Sequence, residues 1–357
     1  MTPKFHPLKV SSIEPLTSDS LSITFEIAES LRSEYTFRPG QHLNLRAWID
    51  EVEYRRSYSI CSAPFENTIS IGVKRVRGGI FSNWIFHSLR VGDEIEVMTP
   101  EGEFYLDTYV SRGPILAIAS GSGITPIISM IKQYLRDVPH TTAVLLYGNR
   151  DIKHVMFHDD VLELKDKYLN RFIFLPTFSR QRSDVDVHNG RVDADKLIAV
   201  EGLVGSLKNF ETILICGPFD MIETITKALI SLGVDEDSIK YERFGMPNNE
   251  ETRTTRSNRI ERIEGARLKI IFDGLEHSVV FKDDSRSILD AGIEYGLDLP
   301  YSCKGGVCST CKAILLEGDV TMSNNFALTK TDVKQGYILT CQSIPSASTV
   351  TVNYDVR

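Results

Sequence analysis

Six cysteines punctuate the chain, at positions 61, 216, 303, 308, 311 and 341, and four of them are spaced for metal chemistry. Cys303-x4-Cys308-x2-Cys311, followed after 29 intervening residues by Cys341, offers three thiolates from one loop and a fourth from a distant element. That is the spacing of four ligands around a [2Fe-2S] cluster. A loop that wraps a cluster must bring backbone amides close to sulfur, and Gly305 and Gly306 permit the approach. A structural zinc site is the competing reading, but zinc ribbons favour paired short spacings over a five-residue step with a remote fourth ligand. Cys61 falls outside the pattern and is expected to be a small packed residue.

Two further groups of residues carry nucleotide chemistry. In Arg56-Ser57-Tyr58-Ser59 a guanidinium can neutralise pyrophosphate, a phenol ring can pack on an isoalloxazine, and a small hydroxyl can lie near its reactive edge. Gly78-Gly79-Ile80-Phe81-Ser82 then opens a helix whose N-terminal amides, with the Ser82 hydroxyl, suit a phosphate. The second group is Gly121-Ser122-Gly123-Ile124-Thr125-Pro126, which lies between an apolar strand and a helix. Cys216-Gly217-Pro218-Phe219-Asp220-Met221 repeats that arrangement later, and both turns are expected to face one crevice of an open sheet. After another apolar strand, Ser179-Arg180 can contact a 2′-phosphate through a hydroxyl and a bidentate guanidinium, which favours NADPH over NADH.

The elements that position these residues fall into three textures. From Leu8 to about residue 109 short alternating runs such as Ser22–Ile27, His42–Arg46 and Thr68–Val73 predict an antiparallel barrel or sandwich, with one helix near Phe81–Leu89. From Gly113 continuous apolar strands at Ile115–Ala119, Ala143–Tyr147, Phe172–Pro176 and Thr212–Cys216 alternate with helices, the pattern of a parallel doubly wound sheet. Residues 247–266 are polar and rich in arginine, at 253, 256, 259 and 262, and read as a linker that lets the C-terminal unit move. That third unit begins at Arg267, with strands near Leu268–Phe272 and His277–Phe281, a capped helix opening at Ser287 and closing at Gly296, and the cysteine loop. The expected fold class is therefore a multidomain α+β and α/β chain: an antiparallel FAD-binding β-barrel at 1–109, a parallel doubly wound nucleotide-binding domain at 110–246, a linker at 247–266 and a third compact unit at 267–357 that carries the cysteine loop, a β-grasp ferredoxin domain by the resemblance that follows.

The run from Ile288 through Cys311, including Leu297-Asp298-Leu299-Pro300-Tyr301-Ser302-Cys303, resembles plant and cyanobacterial ferredoxins, which is what implies the β-grasp fold and a strongly reducing cluster. Over nearly the whole chain, R-x-Y-S, G-x-G-I-x-P and C-G-P-x-x-M are similar to the ferredoxin-NADP reductase superfamily. The third glycine of the usual Rossmann fingerprint is missing. The resemblance implies that Arg56, Tyr58 and Ser59 hold FAD with Gly79 and Ser82. It implies that Gly121, Gly123, Thr125, Pro126, Gly217, Pro218 and Met221 line the nucleotide crevice, with Ser179 and Arg180 at the phosphate, and that Cys216 sits near the nicotinamide. Glu242, in Tyr241-Glu242-Arg243-Phe244-Gly245, would move or stabilise a proton near the flavin, and Phe244 would cover the ring. The domain order resembles the reductase components of bacterial multicomponent oxygenases. That implies electron flow from NADPH through FAD and the cluster held by Cys303, Cys308, Cys311 and Cys341 to a di-iron oxygenase such as an epoxidase. Reductases of ring-hydroxylating and steroid oxygenases share much of the pattern. A flavoenzyme with its own organic substrate and an iron-sulfur electron carrier without a working flavin site are the readings from other classes.

Composition limits the partners. With 40 Lys and Arg against 48 Asp and Glu the net charge is -8, which argues against nucleic acid or an anionic membrane. Residues 1–10 lack the apolar stretch of a secretory signal, so a cytoplasmic protein is expected. Gly113–Ile131 is apolar and long enough for a bilayer, but Ser120–Gly123 and Thr125-Pro126 break it into strand, turn and helix.

Overall fold

The computed structural model describes residues 4–245, 263, 265–282 and 285–356. Most of the expected linker, with its four arginines, lies outside the described residues. Two compact units are present: one holds Phe5–Tyr54 and Tyr58–Phe244, and the other holds the chain from Gly245 onward together with Lys4 and Arg55–Ser57. The barrel and the nucleotide-binding sheet thus form one body.

The first part of that body is a six-stranded antiparallel sheet built from β1 (Phe5–Thr17), β2 (Ser20–Glu26), β3 (His42–Ile49), β4 (Val52–Ser59), β5 (Ile69–Lys74) and β6 (Glu94–Met98), ordered β4-β3-β6-β1-β2-β5. Just past β4, an Ile60–Ile71 bridge and the Cys61 amide donating to the Ser70 carbonyl join the two sheet edges, so the sheet closes as the expected barrel. The alternating side chains Leu8, Val10, Ile23, Phe25, Leu43, Leu45, Ile71 and Val73 fill its interior. Helix α1 (Ile80–Ser88) plugs one side through Phe81 and Ile85. Cys61 is buried, its thiol donates to the Ser70 carbonyl, and burial pushes its pKa up to about 12, consistent with a packing role.

The second part is a five-stranded parallel sheet of β7 (Ile115–Ser120), β8 (Ala143–Asn149), β9 (Phe172–Phe178), β10 (Thr212–Gly217) and β11 (Ile239–Arg243), ordered β11-β10-β7-β8-β9. Helices α2 (Ile124–Asp137), α3 (His158–Lys167), α4 (Ala194–Val204) and α5 (Phe219–Ser231) return the chain between strands. Ile115, Ala117 and Ala119 enter one apolar cluster and Leu116 and Ile118 another, so the strand is covered on both faces and needs the unbroken apolar run seen in sequence. The order reverses at β7, flanked by β8 and β10, and the chain leaves β7 and β10 through the two glycine turns.

The other unit is a mixed sheet of β12 (Arg267–Phe272), β13 (Leu275–Val280), β14 (Lys312–Glu317), β16 (Tyr337–Leu339) and β18 (Thr349–Asn353), ordered β13-β12-β18-β14-β16, with β15 (Val320–Met322) and β17 (Ser343–Pro345) paired beside it. The parallel β12–β18 pair between antiparallel neighbours is the β-grasp arrangement. The helix Ile288–Glu294 begins as expected: the Ser287 hydroxyl oxygen accepts from the Asp290 amide at 3.1 Å. Gly296, at φ +98°, turns the chain after it. Among the described residues no helix is long and apolar enough to cross a membrane.

Candidate functional site

At the ends of the parallel strands a crevice of about 690 Å³ opens, lined among others by Ser120, Gly121, Gly148, Asn149, Arg150, Gly217, Pro218, Met221 and Phe244. Both glycine turns reach it, as expected for open sheets. Ser179 and Arg180, just past β9, and Arg191 also line it, and among the described residues neither arginine is paired with a carboxylate. Asn149, which sequence reasoning missed, is buried there with both amide atoms lacking a hydrogen-bond partner among the described residues. A buried unsatisfied amide at the mouth of a basic crevice fits a polar ligand such as a pyridine nucleotide. Its position at the C-terminal end of a parallel strand was the available signal.

Three residues expected in this crevice stand behind it. Gly123 is buried, and a Cβ there would lie 2.1 Å from the Cys216 carbonyl oxygen, so its task is close packing of the turn on β10. Thr125 donates to the Ser122 carbonyl at 3.0 Å while its methyl group faces Gly72 of β5, and Pro126 is buried in the first turn of α2. Both lie on the side of α2 that packs inward, a direction the G-x-G-I-x-P pattern does not encode.

The barrel and the sheet bring together four side chains from distant parts of the sequence. The Ser59 hydroxyl at the end of β4 donates to Glu242 Oε2 at 3.3 Å, and His42 Nδ1 at the start of β3 lies 4.0 Å from Glu242 Oε1. Cys216 on β10 is in register with Glu242 on β11. The expected trio Ser59, Cys216 and Glu242 is thus assembled, and His42 is an addition. Burial pushes the Glu242 carboxyl up to about 8, against the opposing pull of the Ser59 hydroxyl, so it carries a proton at neutral pH. Burial, reinforced by the Glu242 charge, holds the Cys216 thiol well above its usual range, so it acts as a neutral group and not as a thiolate. Burial pushes His42 down to about 4 and keeps it neutral.

These shifts predict a signature in stability. The folded state binds the Glu242 proton more tightly than the unfolded chain, so this residue costs stability as pH rises from about 4.5 through about 8. Thermal unfolding of Glu242→Gln and the parent chain should therefore coincide near pH 4.5, and the variant should gain a melting advantage that grows up to about pH 8. A constant difference across that range would contradict the assignment.

Along β4, Arg56 is exposed, the Tyr58 ring is half-buried against Phe81 at 6.2 Å between centroids, and Ser59 is buried. Gly79 caps α1, and Ser82 Oγ accepts from the Val76 amide at 3.1 Å, which ties down the loop and leaves the hydroxyl proton to donate. A cation and an aromatic face along β4, a buried hydroxyl at its end and the N-terminus of α1 are the groups that fit a flavin dinucleotide. Arg56, Tyr58, Ser59, Gly79 and Ser82 would hold it. Phe244 is half-buried at the crevice, its amide donating to the Gly217 carbonyl at 3.1 Å.

In the other unit the sulfurs fall into two couples: Cys303 is within hydrogen-bonding reach of Cys308, and Cys311 of Cys341. Among the described residues no three potential ligands gather around a single point. Two neighbouring couples fit two bridged irons, each taking two thiolates, better than one tetrahedral zinc. Donors to the sulfurs come from the loop and from beside the remote ligand: the Gly305 amide donates to Cys303 Sγ at 3.3 Å and the Gln342 side-chain Nε2 to Cys341 Sγ at 3.6 Å. Gly306 has φ +77°, and a Cβ there would meet the Asn324 carbonyl oxygen at 3.0 Å, so the cradle needs glycine.

Comparison with known proteins matches this division. Residues 7–105 match the oxidoreductase FAD-binding domain, residues 117–227 the oxidoreductase NAD-binding domain and residues 270–346 the 2Fe-2S iron-sulfur cluster binding domain. A 1,2-phenylacetyl-CoA epoxidase subunit from Escherichia coli (strain K12) is 40% identical over 354 residues, covering 99% of this chain and 98% of that protein. The ferredoxin reductase component of 3-ketosteroid-9-alpha-monooxygenase from Rhodococcus rhodochrous is 32% identical, covering 95% and 93%. The solved structure of phthalate dioxygenase reductase, described as a modular structure for electron transfer from pyridine nucleotides to [2Fe-2S], shares the fold with a TM-score of 0.59 at 24% identity over 98% of each chain. The chain therefore belongs to the ferredoxin-NADP reductase superfamily, in the branch that joins FAD-binding and NAD-binding domains to a C-terminal [2Fe-2S] domain, and is an oxidoreductase using FAD, a pyridine nucleotide and an iron-sulfur cluster.

Proposed function

We propose that the protein is the NADPH-dependent reductase of a phenylacetyl-CoA epoxidase, a di-iron oxygenase of aerobic phenylacetate catabolism in the cytoplasm. The observation that carries this reading is the end-to-end similarity, at 40% identity, to a component of that enzyme in Escherichia coli. When bound, FAD takes hydride as an electron pair and delivers electrons one at a time to a [2Fe-2S] cluster that accepts only singles. Residues 1–109 would hold the flavin, 110–246 the nucleotide and 267–357 the cluster.

The chain's own residues then have separate tasks. Arg56 and the N-terminus of α1 neutralise the flavin pyrophosphate, and Tyr58 and Phe244 cover the ring system. Ser59 and Glu242 hold a proton at its reactive edge, where Cys216 supplies a neutral, close-packed wall. Cys303, Cys308, Cys311 and Cys341 ligate the cluster.

Ser179 and Arg180 select NADPH through its 2′-phosphate, supported by Arg191 on the same crevice and by the lack of an acidic residue directly after β9, where an NADH enzyme often carries one. Loss of a charge-assisted contact to phosphate costs about 1.5–3 kcal/mol, a factor of roughly 10 to 150. Arg180→Ala should lower kcat/KM for NADPH by about that factor and change the value for NADH by less than about threefold, read by stopped-flow flavin reduction. An equal loss with both nucleotides would contradict the selection.

The partner is tested by reconstitution. The purified reductase, mixed with the oxygenase subunits of phenylacetyl-CoA epoxidase, should couple NADPH consumption to epoxide formation. Coupling only to a steroid or ring-hydroxylating oxygenase would replace this partner, a reading that the 32% identity to a ketosteroid monooxygenase reductase makes the next to try.

A further inference from the structure

His42 has no evident reason to be a histidine if it only fills space. Its side chain is buried, and its Nε2 has no hydrogen-bond partner among the described residues. A phenylalanine or leucine would avoid burying an unsatisfied nitrogen. The backbone nevertheless fixes the residue firmly: its amide donates to the Glu101 carbonyl at 2.8 Å, and the Glu101 amide returns a bond to the His42 carbonyl at 3.0 Å. The adjoining turn also makes room for the ring. Gly102 sits at φ +113°, and a Cβ there would come within 2.8 Å of His42 Nδ1.

That same nitrogen faces Glu242 Oε1 at 4.0 Å, while the Ser59 hydroxyl reaches Oε2 at 3.3 Å. From the geometry we propose that His42 is a positioning residue for Glu242, its Nδ1–H steadying one carboxyl oxygen as the Ser59 hydroxyl steadies the other. The contact shortens to a hydrogen bond when the carboxyl ionises, because an N–H donor is attracted to the charged form more than to the neutral one. The ring remains neutral throughout and takes no proton. The other groups around Glu242 do not supply this second donor: Cys216 faces it from β10 as a buried thiol, Arg243 beside it on β11 is turned to Glu223 at 2.6 Å, and the Glu101 carboxylate next to His42 accepts from Asn44 at 3.2 Å.

The inference rests on the reading of Ser59 and Glu242 as the proton-holding edge of the flavin site, and the test separates the two. The FAD-loaded, oxidised protein is titrated by difference infrared spectroscopy, with the protonated-carboxyl band of Glu242 identified by its loss in Glu242→Gln. His42→Phe should raise the midpoint of that band by about one pH unit, the size expected when a donor to a buried carboxylate is lost. Ser59→Ala should raise it similarly. His42→Asn, whose amide nitrogen can occupy the place of Nδ1, should restore the parent midpoint, whereas His42→Gln, which reaches toward the place of Nε2, should not. An unmoved midpoint in His42→Phe, or equal rescue by Asn and Gln, overturns the role of His42. If Ser59→Ala also leaves the midpoint unchanged, or if the band survives in Glu242→Gln, the reading of the proton-holding edge fails instead.

Discussion

Replacing Cys308 by serine is expected to cut electron delivery to cytochrome c or to a partner oxygenase by more than about 100-fold, while NADPH still reduces the flavin at the parent rate. Changes to residues that merely support metal ligands cost about 10- to 100-fold, so loss of a thiolate itself should exceed that range. Cys308 is within hydrogen-bonding reach of Cys303 and lies near Cys311 of the second couple, so its removal would undo the ligand set of one iron and expose the other. The unit should still fold, because its core of Leu268, Ile270, Ile288, Leu289, Val350 and Val352 belongs to the sheet and helix and not to the loop. Ferricyanide, which can take electrons from the flavin directly, separates the two halves of the reaction. Undiminished ferricyanide reduction with lost cytochrome c reduction and a lost iron-sulfur electron paramagnetic resonance signal is the expected result. Retained cytochrome c reduction would mean that electrons leave by a route that bypasses these sulfurs.

Gly123→Ala should be the most damaging single methyl in the nucleotide half. The added Cβ would lie 2.1 Å from the Cys216 carbonyl oxygen and 2.9 Å from the Gly217 amide nitrogen, both backbone atoms of the strand that carries the second glycine turn. Neither can swing aside, so the start of α2 must lift from β10. Overpacking of this kind costs about 1–3 kcal/mol and occasionally more. The same displacement moves both walls of the crevice, so NADPH affinity should fall at least about tenfold. Gly121→Ala, two residues earlier, is the control: its φ of +54° imposes backbone strain, but nothing lies within 4 Å of the new methyl. It should cost about 1 kcal/mol, the penalty of a left-handed conformation. Denaturant unfolding and nucleotide titration of the two variants would show the contrast, and equal effects would contradict the packing argument.

Much of this architecture was legible because the chemistry is local in sequence. The cysteine spacing, the R-S-Y-S run and the two strand–glycine–helix turns each lie within a short stretch, and their physical demands are met by neighbours. The doubly wound sheet was equally plain, since β7 is covered on both faces and cannot alternate. What escaped depends on distance or direction. His42, up to 200 residues from Ser59, Cys216 and Glu242, which the motifs did single out, becomes their neighbour only where β3, β4, β10 and β11 come together. Thr125 and Pro126 sit in the correct motif, but the rotation of α2 sends them inward, and Gly123 proved to be a packing glycine. Asn149 and Arg150 were overlooked because a strand ending Tyr147-Gly148-Asn149-Arg150 carries no glycine fingerprint, although its position beside the turn from β7 places it on the crevice. The hairpin turn at Asp273-Gly274 likewise starts β13 at Leu275, two residues before the alternation alone indicated, because the left-handed pair turns the chain at once.

The central claim is that one chain carries a nucleotide-reducible flavin and a two-iron cluster in electronic contact. It is tested most directly by metal, sulfide and flavin analysis of anaerobically prepared protein, followed by titration with NADPH under visible absorption. The account predicts two irons and two acid-labile sulfides for each FAD, with the flavin and cluster bands both bleaching as NADPH is added. Zinc in place of iron, or a flavin that bleaches while the cluster absorption stays unchanged, would contradict it.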